Sequence, residues 1–258
     1  MGTLVMAAEE GFVPPGPADF VLPPILGAVT KPMVLVIASA IILAVFFAIA
    51  SRRLSVVPSK GQFMVESIYG VARNGMAREQ IGAGFKPFVP LVLGLFSFIL
   101  VNNLFGLIPF IQFPTMSRIG FPVALALFVY VTYHYAGIRK HGLGGYFKHA
   151  LFPPGAPLPV YFILAPIEFL SKFVVQPAAL FIRVFAAMFA GHLMLMLLAF
   201  AGEYLVVEAG GLLSIVGAVS FLGFIVMTFI EALVMVIQAY VFAMLAAVFI
   251  GAAISEEH

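Results

Sequence analysis

Twenty consecutive residues, Pro32 to Ser51, carry no charge and lie between Lys31 and Arg52. That is the length an α-helix needs to cross the roughly 30 Å hydrocarbon layer of a bilayer. Two more apolar runs follow, 87–109 and 120–138, joined by a short turn containing Pro114 and Arg118. Inside a bilayer no water can satisfy free backbone groups, so runs of this kind are confined to helices. Hydrophobic residues make up 63% of the chain and charged residues 9%, too few charges to coat a soluble domain. The chain reads as a multi-spanning membrane protein.

Composition also removes several chemistries. With no cysteine, disulfides and thiolate metal sites are excluded. Histidines and carboxylates do not cluster at metal-ligand spacing, and no glycine-rich phosphate loop follows a strand, so no metal or cofactor is expected. The net charge of +2 sits on loops and is not a nucleic-acid surface. Residues 1–31 form an N-terminal extension with Glu9, Glu10, Asp19 and five prolines up to Thr30. It lacks a basic leading region and does not read as a signal peptide.

Between the first two spans, residues 60–85 behave differently. Phe63, Met64, Ile68, Val71 and Met76 recur at helical spacing while Glu66, Arg73, Arg78 and Glu79 are polar, which predicts a helix on the membrane surface. Residues 139–159 hold Gly142, Gly144, Gly145 and four prolines, which predicts a loop. The last hundred residues contain two very long apolar stretches, 160–201 and 211–255. At 1.5 Å per residue each reaches roughly 60 Å, about twice the hydrocarbon thickness. No Gly, Pro, Asn or Asp beside Arg183 or Glu231 offers a turn, so two long, strongly tilted helices are expected, joined as a hairpin at 202–210. The expected architecture is an all-α integral membrane fold, a single domain of five transmembrane helices plus one amphipathic surface helix.

Loop charge sets the expected orientation. With the N-terminus outside, the inner loops hold Arg52, Arg53, Lys60, Arg73, Arg78, Lys86, Arg139, Lys140 and Lys148, against Lys31 and Arg118 outside. This asymmetry places the C-terminus inside.

Arg183 is the only charge between Lys172 and Glu203. A guanidinium cannot shed its charge when water is removed, and a mid-membrane arginine costs about 2.5–3.5 kcal/mol on insertion scales. His192 follows nine positions later, which at 100° per residue is the opposite helix face. Glu231 and Gln238 are seven apart and share a face, as do Gln176 and Arg183. Glu168 and Lys172 form an i, i+4 pair near the inner end of the next-to-last helix. Ala179, Ala186, Ala187 and Ala190 leave a shallow surface around Arg183 over which another helix could move closely. Two readings of these groups stay open. In one they pair internally, Arg183 with Glu231, Glu168 with Lys172 and His192 within the bundle. In the other they form a proton relay. His134, between Tyr133 and Tyr135, reads as an interfacial residue.

The segment Arg183-Val-Phe-Ala-Ala-Met-Phe-Ala-Gly191 resembles the arginine motif of subunit a of the rotary F-type ATP synthases. Glu231 followed by Gln238-Ala-Tyr-Val-Phe242, the Asn103-Leu-Phe-Gly-Leu-Ile-Pro109 segment and the terminal Ser255-Glu-Glu-His258 also fit that family. Some members carry Asn at the position of Ala187, Glu at that of His192 and His at that of Glu231. The last two differences look like a swapped acid–imidazole pair, which implies proximity in the fold. The resemblance implies a proton-conducting stator with two aqueous half-channels, without a catalytic site of its own. Its expected partners are a c-ring of proteolipid subunits, b-type peripheral-stalk subunits, the soluble ATPase head and membrane lipids, in a bacterial inner membrane. Arg183 would meet the ring carboxylate. His192, Glu231, Gln238 and Asn103 would line the outer half-channel and Glu168 the inner one. The alternative is a secondary transporter or ion channel in which Arg183 binds an anionic substrate, with inverted repeats and helices broken at the midplane.

Overall fold

The computed structural model describes residues 12–27, 29–52, 55, 58–152, 158–209 and 211–255. Glu9, Glu10, Arg53 and the terminal Glu256–His258 lie outside the described residues. Five helices are long and apolar enough to cross a membrane: Lys31–Arg52, Lys86–Leu104, Gly120–Lys148, Tyr161–Glu208 and Leu213–Ile254. These are the first to fifth spans below, and the protein is an all-α integral membrane protein. A short antiparallel pair of strands, Pro24–Leu26 with Val29–Thr30, leads into the first span.

The fourth and fifth spans make the core. They pack antiparallel over most of their length because small residues on one face a large side chain on the other. A side chain on Gly202 would meet the Phe221 ring at 3.3 Å, and one on Gly217 would meet Val206 at 2.6 Å. The Ser220 hydroxyl donates to the Leu198 carbonyl at 2.8 Å across the seam. Small-residue contacts and interhelical hydrogen bonds drive helix association where no water is squeezed out. The fifth span, Leu213–Ile254, is 42 residues long. At 1.5 Å per residue it is about twice the hydrocarbon thickness and fits only on a steep incline. Two π-helical turns interrupt the fourth span, Ser171–Val175 and Leu205–Ala209. The first precedes Pro177, which has no N–H to offer the Phe173 carbonyl one turn back.

The first span stands at the edge. Ile37, Ile41, Ile42, Val45 and Ile49 are exposed, and its buried Ser39 ties it to the second span. Asn102 Nδ2 donates to Ser39 Oγ and to the Phe98 carbonyl, both at 2.8 Å, and Thr115 Oγ1 donates to Asn102 Oδ1 at 2.7 Å. The surface helix runs over Lys60–Gly70, continues as a π-helix over Val71–Arg78 and ends at Glu79–Ile81. Its apolar stripe is divided between an exposed stretch and a buried end. Of the expected apolar stripe only Met76 is buried, together with Ala72, Ala77 and Ile81, whereas Phe63, Met64, Ile68 and Val71 are exposed. An apolar face meets protein or lipid equally well, so periodicity alone does not say which.

The expected loop over 139–159 is also corrected. Helix continues to Leu151, broken at Gly142, and a further helix begins at Leu158. Gly142 has φ 72° and ψ 165°, a region essentially reserved for glycine. The chain turns back there, so Tyr146 lies on Gly137 and its hydroxyl meets His134 Nδ1 at 2.6 Å. His134 is half-buried, with its ring 4.2 Å from Tyr130 and stacked at 4.9 Å on Phe173.

Near its C-terminal end the fifth span crosses the end of the surface helix at Gly251, where an added side chain would strike the Gln80 carbonyl. Gly251→Ala should therefore destabilise the protein by about 1–3 kcal/mol through overpacking. Gly94→Ala, which meets nothing within 4 Å, should not. Thermal unfolding of the detergent-solubilised protein compares the two.

Candidate functional site

The long fourth span sorts its polar groups by face. Leu180, Val184 and Met188 turn into the core. Arg183 projects from the other side with Ala179, Ala186 and Ala190 exposed around it. It makes no ion pair among the described residues, so the internal Arg183–Glu231 pair is not formed. His192 lies on the buried side, 7% exposed, with its ring edge-on to Phe20 at 5.9 Å and to Phe113 at 6.5 Å. The nine-residue spacing is thus realised as an exposed cation and a buried imidazole on one helix.

Glu231 is 1% exposed, and neither carboxylate oxygen has a hydrogen-bond partner among the described residues. It fits because position 191 is glycine: a side chain there would stand 3.3 Å from the carboxyl carbon. His192, the next residue, is brought beside Glu231 along the chain, but the two share no hydrogen bond. One turn on from Glu231, the Met235 carbonyl accepts from Asn103 Nδ2 at 3.4 Å, and Asn103 Oδ1 is unpartnered. Gln238 Oε1, a further turn along, is buried and unpartnered as well. His192 Nδ1 completes the set. An unmet buried polar atom costs about 1–3 kcal/mol, and native proteins hold few of them. Four such side chains lie in this part of the bundle, His192, Glu231, Gln238 and Asn103.

At the other end of the bundle a cavity of about 640 Å³ is lined by Glu79, Tyr133, Tyr146, Lys172, Gln176 and Ser255, among others. Glu168 pairs with Lys172 at 3.2 Å, and Lys172 also donates to the Ala150 carbonyl at 2.8 Å. The structure therefore places Lys172 and Gln176, not Glu168 itself, on the cavity wall. Gln176 shares a helix face with Arg183, two turns away.

Sequence reading missed the Ser39–Asn102–Thr115 network and the placement of Phe20. Adjacent asparagines at 102 and 103 in an apolar run were a signal for the first. Phe20 carried none, because its partners are remote in sequence.

A family description, "ATP synthase A chain", matches residues 33–251. The chain is 45% identical to an ATP synthase subunit a of a Nocardioides species, over 99% of this chain and 98% of that protein. It is likewise 45% identical to that of Pseudarthrobacter chlorophenolicus, with both chains covered completely. It is 38% identical to that of Streptomyces lividans, over 96% of this chain and 90% of the relative.

Asn102→Ala removes three hydrogen bonds, one of them the tie to Ser39 of the first span. A loss of about 1–3 kcal/mol is expected, seen as a lower unfolding temperature. The variant should keep its proton translocation per assembled complex, since Asn102 is bonded away from the Glu231 seam.

Proposed function

The chain belongs to the ATP synthase A chain family, and on that premise we propose that Arg183 is the fixed charge past which the carboxylates of a rotating proteolipid ring move. It is a proton-conducting subunit of the ATP synthase membrane sector. The exposure of Arg183 amid alanines, with no internal partner, carries the proposal. A guanidinium stabilises an arriving carboxylate in its ionised form and cannot pass a proton on by titrating. It therefore selects the ionised ring site and blocks leakage between two half-channels. A dry, permanent ion pair would stall rotation, and the open face around Arg183 avoids one.

The outer half-channel runs along His192, Glu231, Gln238 and Asn103. Imidazole and carboxylate both bind and release protons, and the buried oxygens of this seam have no competing partners within the bundle. The inner half-channel is the cavity beside Lys172 and Gln176, with Glu168 acting through its pair with Lys172. The complex also contains the peripheral stalk and the ATPase head, in a bacterial inner membrane with the N-terminus outside and the C-terminus inside. The nine inner basic residues support that orientation. The transporter alternative called for helices broken at the midplane, and a continuous fifth span offers no such break.

Arg183→Ala should abolish ATP-synthesis-coupled proton flow while the complex still assembles. Arg183→Lys should also fail, because an ammonium can lose its proton. Normal synthesis in either variant, measured in reconstituted vesicles, sinks the proposal. The double variant His192→Ala, Glu231→Ala should lower proton flux, and unchanged flux would make both residues structural only.

A further inference from the structure

Residues 12–30 fold over the end of the bundle that the proposed orientation places outside, and they do more than cap it. The 3₁₀ turn Pro17–Phe20 inserts the Phe20 ring beside Phe189 at 4.6 Å, Phe113 at 6.3 Å and His192 at 5.9 Å. Phe20 is 4% exposed, while its neighbour Asp19 stays at the surface. Lys31 Nζ donates to the Ile111 carbonyl at 2.6 Å, fixing the start of the first span to the loop before the third. That loop bends sharply, with φ 73° at Phe110 and 41° at Gln112.

Between these pieces lies a cavity of about 200 Å³ lined by Asp19, Leu22, Lys31, Gln112, His192 and Met196, among others. At about 30 Å³ per molecule it has room for several waters. Its titratable groups are Asp19, Lys31 and His192. His192 forms part of the wall, more than nine-tenths buried and with Nδ1 unpartnered. Asp19 uses Oδ2 to accept from the Gly16 amide at 2.7 Å and makes no ion pair with Lys31 among the described residues.

We propose that this cavity is the mouth by which protons reach His192 from the outer side, with Asp19 as the carboxylate that collects them. A surface carboxylate at the rim of a low-dielectric cleft raises the local concentration of the cation it attracts. The proton binds the Asp19 carboxylate, crosses the cavity over water, and is taken up by His192, leaving the carboxylate ionised for the next one. Phe20 is a positioning residue that holds the imidazole edge-on at the cavity wall. This inference rests on the stator reading above.

The cysteine-free chain makes the test direct. In the intact ATP synthase, Leu22→Cys would be reacted with a bulky, charged thiol reagent before reconstitution in liposomes. Proton-driven ATP synthesis should then fall about tenfold, while the same adduct on Ala18→Cys, exposed but off the cavity, should leave it within about twofold. Met196→Cys offers a thiol on the cavity wall from the fourth span and replaces Leu22→Cys if that variant does not assemble. Asp19→Asn keeps an oxygen for the Gly16 amide but should slow synthesis about threefold, with Asp19→Glu restoring it. A cavity adduct without effect, or one matched by the Ala18 adduct, overturns the mouth, and an unchanged Asp19→Asn overturns the collecting role. Arg183→Ala in the same preparation separates the levels. If it abolishes synthesis while the cavity adduct does nothing, the stator reading stands and only the mouth falls.

Discussion

The contact of Gly191 with Glu231 is the constraint on which the site depends. Glycine there lets the fifth span bring a carboxylate against the fourth, where an added side chain would stand 3.3 Å from the Glu231 carboxyl carbon, and the close approach buries it. Once that contact is set, the periodicity of the fourth span does the rest. The face bearing Leu180, Val184 and Met188 turns inward, and Arg183 is left on the opposite side with nothing in this chain to pair with. A larger residue at position 191 would hold the two helices apart and open Glu231 to solvent or lipid. The separation of a buried carboxylate and imidazole from an exposed arginine is thus a consequence of helix packing.

Polar groups in this bundle fall into two kinds, and hydrogen bonding distinguishes them. Asn102 is saturated by Ser39, Thr115 and the Phe98 carbonyl, and it works as a clamp. Asn103, its immediate neighbour, points to the fifth span and keeps an unpartnered oxygen. Glu231, Gln238 and His192 share that condition, and all of them flank the contact between the last two spans or the loop that covers it. In a medium without water, an unmet polar atom costs more than in a soluble core, so its persistence in a line is informative. The cavities at the two ends of the bundle are both lined by the fourth span, at Lys172 and Gln176 in one and at His192 and Met196 in the other, and Arg183 is the charged group on the helix between them.

Much of the fold was legible because it follows from lengths. Twenty uncharged residues make a span, and forty without a turn signal make a tilted one. Arg183 and His192 fell on opposite faces because nine residues at 100° is half a turn beyond two full ones. The failures have physical causes too. Gly142, Gly144 and Gly145 suggested a loop, yet only Gly142 takes a conformation that needs glycine, and helix resumes at once beyond it. The stripe of Phe63, Met64, Ile68, Val71 and Met76 marked a helix but not which of its apolar residues would meet protein, and of that stripe only Met76 does.

What the sequence by itself determined is the class of fold, the number of spans and the identity of the charged groups, since each is set by local apolar length and helical period. The tertiary structure alone decided that Glu231 lies against Gly191 and not against Arg183, and that Lys172, bonded to the Ala150 carbonyl, lines the larger cavity. It alone placed Phe20 on His192. These are contacts between residues tens to more than a hundred positions apart, and no periodicity along one helix encodes which face of another it will meet.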